Sequence, residues 1–279
     1  MTYRSLIFRG RGSSQSRKPT HSGLAERGGV VSTTRVGRYA IHAQEFGSGE
    51  STLLLLHGLS GSSRWWARNI PELALRYRLV VPDLVGFGRS RTRVRLPDFE
   101  TLARLLGAWL EARQVRKVTL VGHSMGGQIG IHLAARDPER LDRLVLVDAA
   151  GIPRVLAPRT LLRLAADAGP LWRWGDPAFL PTIAGDALTA GPRALLRSLY
   201  NILQDDVRAL LPSIRVPTLI VWGERDQLVP LEHAREMRES IPDSHLVVLR
   251  GAAHNPMIDR PADFNRILIR FIEGETVGR

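Results

Sequence analysis

Cysteine is absent from the 279 residues. Disulfides, thiolate metal sites and a cysteine nucleophile are therefore excluded. Lysine is nearly absent, with Lys18 and Lys117 the only two, so arginine carries almost all of the positive charge behind the formal net charge of +12. Such a charge can draw a protein to nucleic acid or to an anionic membrane. Here the arginines are scattered among acidic residues and along helix faces without a long basic stripe, so nucleic acid is not expected as a partner. No apolar run approaches the roughly 18–20 residues that span a bilayer, and no membrane span is expected. Leu6-Ile7-Phe8 is too short for the core of a secretory signal, which needs about 7–15 apolar residues. A cytoplasmic protein, monomeric or homodimeric, is the expectation.

What is present points to one large α/β unit. Apolar residues make up 44% of the chain, ordinary for a protein with a sizeable core. Residues 1–29 are rich in Arg, Ser and Gly, lack periodicity and read as a flexible tail. A start codon placed too early would leave the same signature. From Val30 the pattern changes. "VVSTTRVGRYAIHAQEF" reads as two strands joined at Gly37. "STLLLL", "YRLVVP", "VTLVGH", "LDRLVLVD", "PTLIVWG" and "SHLVVL" follow as short strands. Their continuous apolar runs suit strands buried on both faces of a parallel sheet. Helical patterns alternate with them: "SRWWARNIPELALRY", "FETLARLLGAWLEARQ" after Pro97-Asp98, "SMGGQIGIHLAARDPER", "LEHAREMRESI" and "RPADFNRILIRFIEG". The alternation predicts an eight-stranded, mostly parallel sheet flanked by helices. Between Gly151 and Leu211 no strand pattern occurs, and two helical stretches enclose a middle rich in Gly, Pro and Asp. This insertion is expected over the C-terminal ends of the strands, where open α/β sheets bind ligands. The expected division is a core of residues 30–150 and 212–279, with a helical cap at 151–211.

Gly122-His123-Ser124-Met125-Gly126 falls between a buried strand and a helix. A G-x-S-x-G run in that setting forces a strained turn that lifts the serine hydroxyl above the sheet, beside a helix N-terminus that favours negative charge. A serine hydroxyl is a weak nucleophile at neutral pH. It needs a base, and the base needs a partner that fixes its tautomer. For this corner the partners follow in the order Asp or Glu, then His. Asp226 lies just past "LIVWG" and His254 just past "SHLVVL", so both are expected on the face that carries Ser124. Asp148, after "LVLV", could also reach a histidine, with a loop or helix cap as its plainer role. Glu224 is a neighbour of the favoured acid. His57 is expected to brace its loop, His123 to point away from the Ser124 hydroxyl as packing support, and the other histidines to be structural or solvated. Oxyanion donors are expected from the backbone N–H of Met125, after the nucleophile, and of Leu59, past His57-Gly58.

Taken in order, "HGLSGSS", "DLVGFGRS", "GHSMGG", "WGERDQLVP" and "GAAHNPMIDRPADF" resemble the motifs of the α/β-hydrolase superfamily, in particular its small serine esterases and lactonase-like members. The resemblance covers Val30 to about Glu273. It implies the α/β-hydrolase fold, a triad of Ser124, Asp226 and His254, and a structural rather than catalytic role for Asp83 and Ser90. It implies cleavage of esters, lactones or thioesters of small apolar substrates through an acyl-enzyme, with no metal and no organic cofactor. Ser124 stands where epoxide hydrolases and haloalkane dehalogenases carry Asp, and no lysine sits near the triad as in plant-type hydroxynitrile lyases. Carbon–carbon bond hydrolases, perhydrolases and hydrolase-fold ligand receptors share the same elements and remain alternatives. Aromatic residues near the site, Trp65 with Trp66 and cap residues Trp172, Trp174, Phe179 and Tyr200, would build an aromatic pocket or anchor the cap. Trp66, Trp174 and Tyr200 are the candidate pocket residues.

Overall fold

The computed structural model describes residues 29–153 and 175–276. Eight strands form one sheet: β1 (Val30–Val36), β2 (Tyr39–Phe46), β3 (Thr52–Leu56), β4 (Arg78–Pro82), β5 (Val118–His123), β6 (Leu141–Val147), β7 (Thr218–Gly223) and β8 (Ser244–Leu249). Their order across the sheet is β1-β2-β4-β3-β5-β6-β7-β8. β2 runs antiparallel to both of its neighbours, and every other pairing is parallel. The expected fold class is the observed one.

The alternation of side chains along a strand divides the core in two. Leu54, Leu56 and Leu120 face one layer, and Leu53, Leu55 and Val121 the other. The first layer is closed by α2 (Phe99–Ala112), α3 (Met125–Arg136) and α5 (Leu231–Ser240), the second by α1 (Ile70–Leu73), α6 (Pro256–Asp259) and α7 (Pro261–Ile272). α4 (Leu180–Gln204) lies between β6 and β7 in the chain.

Three helical expectations are corrected. "SRWWARNIPELALRY" forms a 3-10 turn at Ser63–Trp66 and the one-turn α1, not one continuous helix. Pro71 lacks an amide hydrogen to continue a ladder. The Asn69 side chain is drawn inward to donate to the Met257 carbonyl (3.1 Å) and to Asn265 Oδ1 (2.9 Å). The Gly/Pro/Asp-rich middle of the insertion is helical from Leu180, with a break at Gly191 (φ 77°) ahead of Pro192. The helix expected to run on towards Ile214 instead ends at Gln204. Asp205 turns away there to accept from Gln128 Nε2 (2.7 Å) and to pair with His132 (2.8 Å) on α3, and the Val207 amide bonds to the Gly151 carbonyl (2.8 Å). The tail, but for Gly29, and residues 154–174 of the insertion, with Trp172 and Trp174, lie outside the described residues.

The parallel register brings the strand ends into one row. Leu56 pairs with Gly122, His123 with Val147, Val147 with Val221, and Gly223 with Leu249. The residues that follow these strands, from His57 to His254, therefore share one edge of the sheet.

Asp98 caps α2, as the Pro97-Asp98 signal predicts, by accepting from the Thr101 amide at 2.8 Å. Hydrogen bonds from Thr101 hold its carboxyl below the usual carboxylate range. Asp98→Ala should lower stability at pH 7 by about 1 kcal/mol, a typical N-cap loss, measured by urea unfolding. Because the folded carboxyl is the stronger acid, its stabilisation is present above about pH 4 and lost as pH falls through the folded value. Wild type and variant should therefore converge in acid.

Candidate active site

The corner after β5 is built by close approach. A side chain at Gly122 would place its Cβ 2.5 Å from the Gly126 carbonyl oxygen, and one at Gly126 would meet the His57 carbonyl oxygen at 2.7 Å. With both positions bare, α3 starts directly on the strand end. Ser124 is left at φ 51° and ψ −114°, a strained conformation of the kind that costs about 1–3 kcal/mol. Its amide is tied to the Val147 carbonyl (2.9 Å), and its carbonyl accepts from Gly127, Gln128 and Ala150 at 3.0–3.1 Å. The surrounding bonds thus hold the strain in place.

His254 follows β8 and Asp226 follows β7. His254 Nδ1 lies 2.8 Å from Asp226 Oδ2. Asp226 Oδ1 accepts from the amides of Leu228 (2.8 Å) and Val229 (3.1 Å). The carboxylate is thus bonded on both oxygens, and the histidine proton is drawn to Nδ1, leaving Nε2 as the basic nitrogen. Ser124 and His254 open on one cavity of about 770 Å³. Among the described residues, neither the Leu59 nor the Met125 amide has a hydrogen-bond acceptor; Met125 follows Ser124 in the chain, and Leu59 lines the same cavity as Ser124. Glu224, the neighbouring acid, instead accepts from the Gly251 amide at 2.8 Å.

The other histidines of the site are braces. His57 Nδ1–H donates to the Gly58 carbonyl (2.8 Å), and its Nε2 accepts from the Leu84 amide (2.9 Å). Burial lowers its pKa, and this pair of bonds suits the neutral ring. His123 Nε2–H donates to the carbonyl of His254 itself at 2.7 Å, and the two rings stand 4.9 Å apart. Burial, then the neighbouring His254, hold the His123 pKa well below its ordinary value. His123 therefore anchors the loop that carries His254, a more specific task than the packing support expected of it. Asp83 and Ser90 are structural: Asp83 accepts from the Ser63 and Arg89 amides, and Ser90 from the His42 amide.

The cavity wall differs from the expected aromatic one. Trp66 is fully buried in the core, 6.2 Å from the Phe264 ring, and does not line the cavity. Its neighbour Trp65 does, because adjacent residues of a tight helical turn face different directions. Trp65 packs on His123 (5.6 Å) and on Phe179 (5.7 Å). Tyr200 is 54% exposed and lies under the Arg197 guanidinium. On α4 the cavity face is Leu195, Leu196, Leu199, Ile202 and Leu203. At 3.6 residues per turn, Tyr200 falls just beyond that arc. Trp174 lies outside the described residues. The wall is thus aliphatic, and no charged arginine, lysine, aspartate or glutamate lines it among the described residues. His233 and Asn255 also line it; a single helical histidine and a residue beside the base gave no sequence signal of this.

α4 is fastened to the loop that carries Leu59. Asp186, 2% exposed, accepts from Ser62 Oγ (2.8 Å) and Trp65 Nε1 (3.1 Å), and pairs with Arg64. A nitrogen of His123, a carboxyl oxygen of Asp148 and a nitrogen of His254 lie within 4.8 Å of one another. One nitrogen of each ring is already committed, to the His254 carbonyl and to Asp226, and one Asp148 oxygen to the Gly223 amide.

This arrangement and strand order are those of one class, and residues 53–267 match the Alpha/beta hydrolase family; the chain belongs to it. Among relatives, a Pseudomonas syringae protein named "Putative carbamate hydrolase RutD" is 32% identical over 79% of this chain and 93% of its own. A bacterial membrane phospholipase A, described as a virulence factor, superposes with a TM-score of 0.73 at 28% identity, covering 91% of this chain and 89% of that one. The enol-lactonase of Burkholderia xenovorans gives 0.77 at 24% identity, over 87% and 100%, a likeness of fold. Among the described residues no helix is long and apolar enough to cross a membrane.

Asp186→Ala would leave Ser62 and the Trp65 N–H without their buried acceptor. A loss of roughly 2 kcal/mol is expected, read as a lower denaturation midpoint, together with a raised KM as the cavity wall loosens.

Proposed function

We propose that the protein is a serine hydrolase that cleaves neutral carboxylic esters, lactones or thioesters carrying an aliphatic acyl group, through an acyl-enzyme. The observation that carries this reading is the 2.8 Å bond from His254 to Asp226 at the wall of the cavity onto which the strained Ser124 opens. The lining favours the substrate class. Leucine and isoleucine side chains solvate an alkyl chain, at about 0.8 kcal/mol for each methylene removed from water. A substrate carboxylate or ammonium would find no opposite charge among the described lining residues.

In this mechanism His254 Nε2 takes the proton of Ser124 as its Oγ attacks the ester carbonyl. The Leu59 and Met125 amides hold the oxyanion, a contribution of about 10²–10³ in rate for one such donor. His254 then protonates the leaving alcohol. A water molecule, deprotonated by His254, releases the acid and restores Ser124. Asp226 keeps the imidazole in the required tautomer and stabilises its cation. Histidine and two amides supply the proton transfer and the charge stabilisation, so no metal or organic cofactor enters. Residues 151–211 act as a cap whose described helix, α4, forms the acyl wall.

The test is hydrolysis of p-nitrophenyl esters of increasing acyl length by wild type and Ser124→Ala. Turnover should rise to a medium-length aliphatic optimum and fall for charged acyl groups. Ser124→Ala should lose roughly four orders of magnitude or more in kcat with unchanged thermal unfolding. Normal turnover in a folded Ser124→Ala protein would sink the assignment.

A further inference from the structure

The mechanism leaves one buried acid without a task. Asp148 is the first residue after β6, held at φ 41°, a region that few residues other than glycine, Asn and Asp accept. Its amide donates to the Val221 carbonyl at 3.0 Å. Its carboxyl is fully buried, and Oδ1 accepts from the Gly223 amide at 2.8 Å. The same Gly223 accepts the Asp226 amide at its carbonyl (3.2 Å), so one residue ties both acids. Asp148 Oδ2 is buried without a hydrogen-bond partner. Beside this carboxyl stand the carboxyl of Asp226, whose amide is tied to the same Gly223, and ring nitrogens of His123 and His254, within 4.8 Å of it.

Two ionised carboxylates in contact, away from water, repel too strongly to coexist, so one proton must stay with the pair. The partners decide where. Asp226 receives two amides and the His254 ring N–H, three donors in all. Asp148 receives one. We propose that Asp148 is a neutral carboxylic acid that donates its O–H to the Asp226 carboxylate, a positioning residue that steadies the triad acid without adding a second negative charge beside His254.

The surroundings agree. Burial first, and then the charge of Asp226, push the Asp148 carboxyl well above the usual carboxylate range. The other titratable groups facing it are Asp259 on α6, which raises it further, and His123 and His254. His123 is held neutral by its burial. With Asp148 neutral, the pair carries one negative charge, which is what a single imidazolium requires during catalysis.

Asn is the informative replacement. It tolerates this backbone region, and its amide can donate to Asp226 while its carbonyl accepts from Gly223. Asp148→Asn should keep kcat within about threefold, whereas Asp148→Ala, which frees Asp226 to move, should lose on the order of 10²-fold in kcat with little change in KM. The acid limb of the kcat/KM profile should be unmoved in Asp148→Asn. Were Asp148 ionised, removing its charge would shift that limb down by about one pH unit.

The kinetic arm rests on the proposed triad; two further arms need no turnover. Wild type should show an infrared protonated-carboxyl band at pH 7 that Asp148→Asn lacks. Because the folded carboxyl is the weaker acid, the contribution of Asp148 to stability falls as pH rises above about 4, and Asn carries no such proton. The difference in Tm between Asp148→Asn and wild type should therefore widen with pH. An absent band, a constant Tm difference or a shifted acid limb would each overturn the proposal. An enzyme silent on every ester would undo the functional reading and leave the band and the Tm series to decide this one. Should Asp148→Ala fail to fold, Asp148→Asn carries the test.

Discussion

The contact between α3 and the ends of β3 and β5 is the constraint on which the rest of this site depends. Gly126 presses against the His57 carbonyl and Gly122 against Gly126, at separations that leave no room for a Cβ. That approach sets where α3 begins and leaves the Met125 amide at its first turn without an acceptor among the described residues. It also forces Ser124 into a backbone conformation that a serine avoids by itself. The strain survives because the strands on either side are locked into a fully buried parallel register. A local energetic cost of one residue is held by the burial of a whole sheet.

Around that corner the fold keeps most of its polar groups neutral or fully bonded. His57 and His123 lose their tendency to charge through burial, and each donates to a backbone carbonyl. One carbonyl belongs to the loop that bears Leu59, the other to His254. The two braces thus position an amide and a base without adding positive charge near Ser124. Of the two acids that follow β6 and β7, Asp226 receives three donors and Asp148 one. The proposed separation of roles between Asp226 and Asp148 rests on their different hydrogen bonds, because both are aspartates that follow neighbouring strands.

The wall opposite Ser124 is held by a different device. Asp186 reaches from α4 to Ser62, Arg64 and Trp65, so the helix that shapes the cavity is bonded to the turn that follows the Leu59 loop. At the other end of the helix, Asp205 is bonded to Gln128 and His132 on α3. The leucine face between these ties is therefore fixed against the core at both ends. The proposed acyl wall and the proposed oxyanion loop thus share a common support.

Much of this was legible in the residues. Short apolar runs marked the strands from β3 onward, Asp98 marked the start of α2, and the G-x-S-x-G corner and the loops of Asp226 and His254 marked where side chains would converge. Such signals are local: burial on both faces, a cap, or a turn that only glycine permits can be read in a few adjacent residues. Other features were not legible for the same reason. Whether Trp65 or Trp66 faces the cavity depends on the phase of a single 3-10 turn. That Tyr200 points outward depends on the rotation of α4 about its axis, and that His123 holds His254 depends on a contact across 131 residues. The sequence by itself determined the order of strands and helices and the residues able to do the chemistry, because these rest on periodicity and backbone sterics. Only the tertiary structure decided which acid receives the most donors, which aromatic lines the cavity and how the wall is anchored, because those outcomes depend on the distances between groups far apart in the chain.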